Sequence, residues 1–469
     1  MRRSLADRLD RLQNSLCTPS VKTEAKKEVS WADGQSAGTS VEPPPPDAPC
    51  AHPWQHVLRQ MGFAPVDPVS ESVWKRSVSY DVFCNHGQYT FHHLAEADVS
   101  GLQHLLGHPV SPCDLRFFDT ETMGLGSGAG NIVFLYTVGQ LLDDEVRFEQ
   151  YFLADPAAEL LFLQHLEGCF GEAAIWVTFN GKSFDLPMIK SRRTMYRLSP
   201  LPSRPHLDLL HPLRRIFKST LPSVSLSFLE EKVLRLERVD DVSGREAPLR
   251  YLTFMTDKDV QAVTPVLQHN LMDVASLVVL CAYLADFTSS RAALQTAKES
   301  LVLARWYEAW KNVEAAAECY RMARTLDDLD GYALWMESLF HKRQGRWLQS
   351  VELWKELSRL QQESVAPLLE LAKWAEHVER DLPLALFYAK EAHQRALQQE
   401  MSYCRESFLQ LPYRVSAHGS NMAAEVSPDF LQEPQSSSPV LRAIVKRMRR
   451  IEGKISKQEQ REEEDKVDG

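Results

Sequence analysis

The sequence predicts an α/β protein, a mixed sheet flanked by helices, followed by an all-α region. Three observations lead there. Strand-like and helix-like stretches alternate between 113 and 287. Beyond 290 the pattern is wholly helical. And 469 residues are too many for one hydrophobic core.

Residues 1–53 open with an amphipathic helix over 1–16, in which Leu5, Leu9, Leu12 and Leu16 recur at helical spacing. A linker rich in Ser, Ala, Glu, Gly and Pro follows, including Pro43-Pro44-Pro45-Pro46. The charges at the N-terminus have no apolar run behind them, so a signal peptide is not expected. Nowhere do about 18 apolar residues run together, so no membrane span is expected. The eight cysteines include no C-x-x-C pair and read as reduced thiols of a cytoplasmic protein. A net charge of −10 does not announce a nucleic-acid binder, yet leaves room for a local basic groove.

Order resumes near Trp54 in a leading subdomain over 54–112, with strands in 77–93. The central domain spans 113–287. Its strands at 115–119, 132–139 and 146–152 are separated by Gly-rich and acidic turns and should pair as antiparallel hairpins. A helix over 157–170, a buried strand over 175–179 and a helix over 183–197 follow, with Pro187 in the first turn where a missing N–H costs little. Then come helices over 205–217 and 226–236, a charged loop over 240–250, and a long helix over 258–287 broken or kinked at Pro265.

The region 290–400 carries a periodicity. Ala316, Tyr320 and Ala323 recur as Ser350, Trp354 and Leu357, and again as Ala385, Ala389 and Ala392. This spacing resembles the second helix of a tetratricopeptide repeat, which implies docking of a protein partner; a plain helical bundle is the alternative. The linker and tail over 401–469 include a basic amphipathic stretch over 440–455, with Leu441, Ile444, Val445, Met448 and Ile451 against Arg442, Lys446, Arg447, Arg449 and Arg450. It reads either as a contact for phosphates or an acidic partner, or as a solvated face. The acidic residues 462–469 are expected to be disordered.

The chemistry centres on Phe117-Phe118-Asp119-Thr120-Glu121-Thr122. On a strand, positions i and i+2 share a face, so Asp119 and Glu121 stand together and repel unless a cation lies between them. Phe179-Asn180-Gly181-Lys182-Ser183-Phe184-Asp185 ends a buried strand in a turn and places Asp185 in the first turn of a helix. That is where open α/β sheets build their sites, although an Asp there also answers the helix dipole. On the last helix His269 and Asp273 are i and i+4, on one face, amid apolar neighbours. Arg214, Arg215 and Lys218 form a basic patch that suits a nucleic-acid backbone or is an ordinary solvated helix face. The absence of G-x-x-x-x-G-K-[ST] argues against an NTPase.

Together these motifs resemble, in order, the three motifs of the DEDD exonuclease superfamily, and more narrowly its YprB-like branch of ribonuclease H-like domains. His206-Leu207-Asp208-Leu209-Leu210-His211-Pro212 resembles a fourth signature of that branch. The resemblance covers about 113–287 and implies a ribonuclease H-like sheet followed by tetratricopeptide-like repeats. It implies that Asp119, Glu121, Asp185 and Asp273 hold two Mg²⁺ or Mn²⁺ ions, and that His269 orients or deprotonates the attacking water. One departure is that His269 precedes the last Asp by four residues, where the histidine class usually has five. Asn180 and Phe184 resemble substrate-contacting positions, though Phe184 equally suits the core; Lys182 is a candidate phosphate contact, Thr120 a candidate substrate contact, and Asp208, within the fourth signature, a candidate supporting carboxylate. The implied activity is 3′→5′ hydrolysis of single-stranded DNA or RNA. The alternatives are a nucleic-acid-binding scaffold with weak or no nuclease activity and a structure-specific endonuclease.

Overall fold

The computed structural model describes residues 52–124, 131–171, 175–238, 242–289, 294–326, 331–409 and 438–467. The predicted helix over 1–16, nearly all of the 18–53 linker, the Ser/Pro-rich linker before Pro439 and the glycine turn from Leu125 onward lie outside them. The chain divides into two units, 1–294 and 295–469.

Strands of the first unit are β1 (Ala64–Pro65), β2 (Val73–Asp81), β3 (Asn85–His86), β4 (Tyr89–Thr90), β5 (Leu115–Thr122), β6 (Val133–Leu141), β7 (Glu145–Leu153), β8 (Ile175–Thr178) and β9 (His206–Asp208). Seven of them form one sheet in the order β1-β2-β7-β6-β5-β8-β9, while β3 pairs separately with β4. Strands β5, β6 and β7 are antiparallel neighbours, whereas β8 and β9 run parallel to β5. This is the mixed ribonuclease H-like sheet that the sequence predicts. Its middle strands are rich in β-branched and aromatic residues and are buried along most of their length, β6 from Val133 to Gly139.

Four elements differ from expectation. The 54–112 segment is not set apart from the sheet: β2 pairs with β7 in register from Val73↔Leu153 to Asp81↔Glu145, which covers an edge that β7 would otherwise expose. The start of the predicted 205–217 helix is the strand β9, because His206–Asp208 extends the parallel ladder, and the helix is Leu210–Phe217. The predicted 226–236 helix ends in a π-turn over Glu230–Leu234. The predicted break at Pro265 is absent, and Val260–Ser289 is one helix; a proline in its second turn costs a single backbone bond. This helix is long and apolar enough to cross a membrane, but most of it is buried, and it packs on β5 and β6.

The Asp185–Met195 helix is fixed to the Glu159–Gly171 helix by buried charge. Arg192 Nε lies 2.7 Å from Glu159 Oε1, and Arg193 donates to the carbonyls of Leu163 and Ser199. That anchoring sets where Asp185 points.

In the second unit, helices Ala297–Ala309, Val313–Thr325, Tyr332–Arg343, Trp347–Leu360, Ala366–Trp374 and Leu382–Leu409 pack mainly on their sequence neighbours. All nine residues of the predicted periodicity are buried. The tail is a helix, Pro439–Val467, which continues through acidic residues expected to be disordered. Its apolar stripe is covered within the unit: Leu441 and Ile444 join the core of Trp354, Leu357 and Leu371, and Ile451 packs on Ala375 and Ala389. Two of its predicted outward-facing cations pair within the unit. Arg447, Arg450 and also Lys454 converge on buried Glu376, at 2.8, 2.5 and 2.8 Å. Burial pushes the Glu376 carboxyl up, but the bonds from Lys454 and Arg450 hold it below its ordinary 4.5. A depressed carboxyl stabilises the fold fully above pH 4.5 and loses that effect as the pH falls through its folded value. Glu376→Gln should therefore loosen the tail helix by about 1–3 kcal/mol at pH 7, with less difference near pH 4. Amide hydrogen exchange over 439–467 reads this; unchanged protection at pH 7 would contradict it.

Candidate active site

Strand β5 delivers Asp119, Thr120 and Glu121 to its carboxyl end, where the pairing with β6 shifts register between Glu121 and Thr122. Such irregularities bend a strand and re-aim its side chains. Strand β8 ends beside it and leads into the turn of Asn180 and Gly181. A Cβ at Gly181 would lie 2.5 Å from Thr178 Oγ1, so only glycine fits there. Asn180 itself is left-handed, with φ 67°, a conformation asparagine tolerates better than most residues. Buried Asp208 on β9 clamps this turn: its carboxylate accepts from the N–H groups of Asn180 (2.7 Å), Lys182 (3.1 Å) and Leu210 (3.2 Å). It therefore supports the site from behind.

Asp119, Glu121 and Asp185 line one cavity of about 300 Å³, together with Thr120, Asn180 and Phe184. Phe184 is 58% exposed, which excludes a place in the core. Thr120 donates its hydroxyl to Asp185 Oδ1 at 2.5 Å, so it also orients that carboxylate. Lys182 is exposed beside the turn. Burial, with the charges of Asp185, Asp273 and Glu121, pushes Asp119 well above the ordinary carboxylate range. Burial likewise raises Asp185 to about 6, against the bond from Thr120.

Each end of the cluster is held from the protein interior. Asn270 donates to Asp119 Oδ2 at 2.8 Å and accepts from Thr137 Oγ1 at 2.5 Å. Gln150 donates to Thr137 and to the Leu267 carbonyl, both at 2.9 Å, and accepts from Arg76 Nε at 3.0 Å. On the other side, Arg238 bridges three groups. Its Nη2 reaches Glu230 Oε1 at 2.5 Å and Asp273 Oδ1, and its Nη1 lies 2.9 Å from His269 Nδ1. Glu230 in turn accepts from Ser276, which is bonded to His86 at 2.8 Å. Burial beside Arg238 lowers the His86 imidazole to about 3, so it is neutral here.

The Arg238 bond decides the tautomer of His269. Arginine only donates, so Nδ1 accepts and the neutral ring carries its proton on Nε2. That nitrogen faces Asp273 Oδ2 at 3.5 Å and Glu121 Oε1 at 4.0 Å. His269 thus presents a donor to the carboxylates.

Among the described residues, no three His, Cys, Asp or Glu side chains close around a point as a finished ion cage. The donor set nevertheless fits a divalent ion. It is all oxygen, as hard cations require, and burial together with the charges of Asp185, Asp273 and Glu121 raises Asp119 within it.

Comparison with known proteins places the domain in a family. Residues 116–285 match the family described as RNase_H superfamily. The chain is 34% identical over 358 residues to the uncharacterized protein YprB of Bacillus subtilis (strain 168), across 74% of this chain and 85% of that protein. The chain belongs to the YprB family. A family B DNA polymerase structure from the hyperthermophilic archaeon Pyrobaculum calidifontis aligns with a TM-score of 0.30 and 15% identity, over 42% of this chain and 29% of that one. So slight a likeness carries no argument. Membership in the YprB family, with its RNase H superfamily domain, makes this a nuclease-type fold, and such nucleases generally use divalent metal ions.

Sequence reasoning missed Asn270, Arg238 and Glu230. Asn270 had a signal, since it is i−3 to Asp273 on the same helix. Arg238 and Glu230 lie in a loop and a π-turn with no local signature.

The raised Asp119 pKa has a consequence for stability. The folded chain binds this proton more tightly than the unfolded chain, so stability falls as the pH rises from 3.8 through the folded value. In chelator at pH 8, Asp119→Asn should raise the Tm by several degrees, at about 2–4 °C per kcal/mol, and the gain should shrink toward pH 4. Mn²⁺ should restore the wild type and leave the variant little changed. A variant no more stable than wild type in chelator would contradict the repulsion described here.

Proposed function

We propose that the chain is a metal-dependent 3′→5′ exonuclease acting on single-stranded DNA or RNA by a two-metal mechanism. One observation carries the reading: three elements distant in sequence bring four carboxylates to the end of β5, where burial and the charges of Asp185, Asp273 and Glu121 raise Asp119 although Arg238 pairs with Asp273. Asp119, Glu121, Asp185 and Asp273 would hold the Mg²⁺ or Mn²⁺ ions. When bound, two such ions supply Lewis acidity to the scissile phosphate and a water activated for attack.

The chain's own groups bind and orient. Phe184 offers an exposed ring for the terminal base, and stacking of this kind tolerates any sequence. Asn180, fixed by Asp208, presents its side chain beside that ring, and Lys182 offers charge to a phosphate. His269 donates from Nε2 and orients the carboxylates or the incoming water rather than removing a proton. Asn270 and Arg238 hold Asp119 and Asp273 in place. The helical pairs of the second unit we read as tetratricopeptide-like repeats that dock a protein partner.

A labelled-strand assay tests this. Purified full-length chain with Mn²⁺ should shorten end-labelled single strands from the 3′ end, on DNA, RNA or both. Chelator should stop the reaction. Asp119→Asn and Asp273→Asn should each cost at least about a hundredfold, more than removing a group that only supports a metal ligand typically does. Cleavage of a circular strand would point instead to an endonuclease. No hydrolysis of any strand would favour the scaffold, for which Arg238 on Asp273 is the structural observation.

A further inference from the structure

We propose that the cleft beside the Leu210–Phe217 helix binds the sugar–phosphate backbone of the strand whose 3′ end occupies the carboxylate cavity. The proposal rests on the exonuclease reading for the strand's orientation. The binding surface itself stands on separate observations.

The first is a stripe of charge. His211, Arg214, Arg215 and Lys218 fall at i, i+3, i+4 and i+7, which puts them on one helix face, and all four are exposed. The other face, with Leu213, Ile216 and Phe217, is buried. The second concerns pairing: His211 Nε2 lies 4.0 Å from Asp208 Oδ2, whereas the other three cations of the stripe meet no described carboxylate. Several other basic side chains of this acidic chain meet carboxylates: Arg192 with Glu159, Arg193 with Glu167, Arg238 with Asp273. Among the described residues, no carboxylate lies within ion-pair distance of Arg214, Arg215 or Lys218.

The third observation is position. A cleft of about 680 Å³ runs along Arg214 and Lys218 and ends at Phe179 and Asn180. Those same two residues wall the carboxylate cavity. Buried Asp208 accepts N–H groups from both Asn180 and Leu210, tying the turn at the reacting end to the first residue of the basic helix. The distance between the two sites is thereby fixed.

The ligand class follows from the spacing. At 1.5 Å per residue, the stripe from His211 to Lys218 is about 10 Å long. One phosphate needs one or two cations at a point, whereas a row this long matches successive phosphates of a polyanion. The cleft is also lined by Leu221, Pro222, Val224 and Leu226, apolar surface suited to sugars and bases. A strand reaching from the cavity through the shared wall would lay its next few phosphates along the stripe.

The test is fluorescence anisotropy of a labelled single-stranded 20-mer with the full-length chain in chelator, across 50–300 mM KCl. Arg214→Ala with Lys218→Ala should weaken binding about tenfold or more at low salt. The slope of log affinity against log salt should flatten by about 1.4, because each phosphate neutralised on a single strand adds roughly 0.7 to it. Arg214→Lys with Lys218→Arg should restore both, which separates charge from fold. Hydrolysis of a dinucleotide, too short to reach the stripe, should be unchanged in the alanine pair. An unchanged affinity and salt slope, or no binding of the 20-mer by wild type at 50 mM KCl, would overturn the proposal. If wild type binds through the stripe yet hydrolyses nothing, the exonuclease reading fails and the binding surface stands.

Discussion

Like-charge repulsion at the end of β5 is the constraint on which the rest of this structure turns. Four carboxylates near one another are unfavourable in any fold, and more so where burial removes the water that would screen them. A chain that keeps them must supply positive charge, hydrogen bonds or protons. This one supplies bonds to Asp119 from Asn270 and to Asp185 from Thr120, and a guanidinium to Asp273 from Arg238. Burial still leaves Asp119 and Asp185 raised. A divalent cation is the partner that the proposed function gives this cluster.

The surrounding architecture makes sense as support for that cluster. The relay from Arg76 through Gln150, Thr137 and Asn270 crosses β2, β7 and β6 before it reaches Asp119. A second relay, from His86 through Ser276, Glu230 and Arg238, reaches Asp273 and His269. Buried polar chains are costly when any member lacks a partner, so each fixes its neighbours closely. Together they make the 54–112 segment part of the site's foundation, because Arg76 and His86 both lie in it. The Arg238 bond also gives His269 a definite tautomer, which favours an orienting role over that of a base.

Much of the sheet domain was legible in the sequence because its signals are local. Alternation marks β5, and the i and i+4 spacing marks His269 with Asp273. Asp208 was recognised as a supporting carboxylate through its motif, although what it supports, three backbone N–H groups of the Asn180 turn and Leu210, is visible only in three dimensions. The misses are non-local or hinge on short elements. Three residues of β9 are too few to carry a strand period. The place of β2 in the main sheet depends on its ladder with β7, from Val73 beside Leu153 to Asp81 beside Glu145, and that ladder exists only once the chain has folded back on itself. Arg238 finds its partners across 31 and 35 residues of sequence. The tail helix looked outward because its cations are plain in sequence, while the carboxylate that gathers them, Glu376, lies 71 residues before Arg447.

The central claim is that the carboxylate cluster is a divalent-metal site. Calorimetric titration of the chelator-stripped chain with Mn²⁺ at pH 7.5 tests it most directly. The account predicts saturable binding of two ions, accompanied by proton release from the raised carboxyls, and loss of most of that binding in Asp119→Asn. No saturable binding, or binding that survives the substitution unchanged, would contradict it.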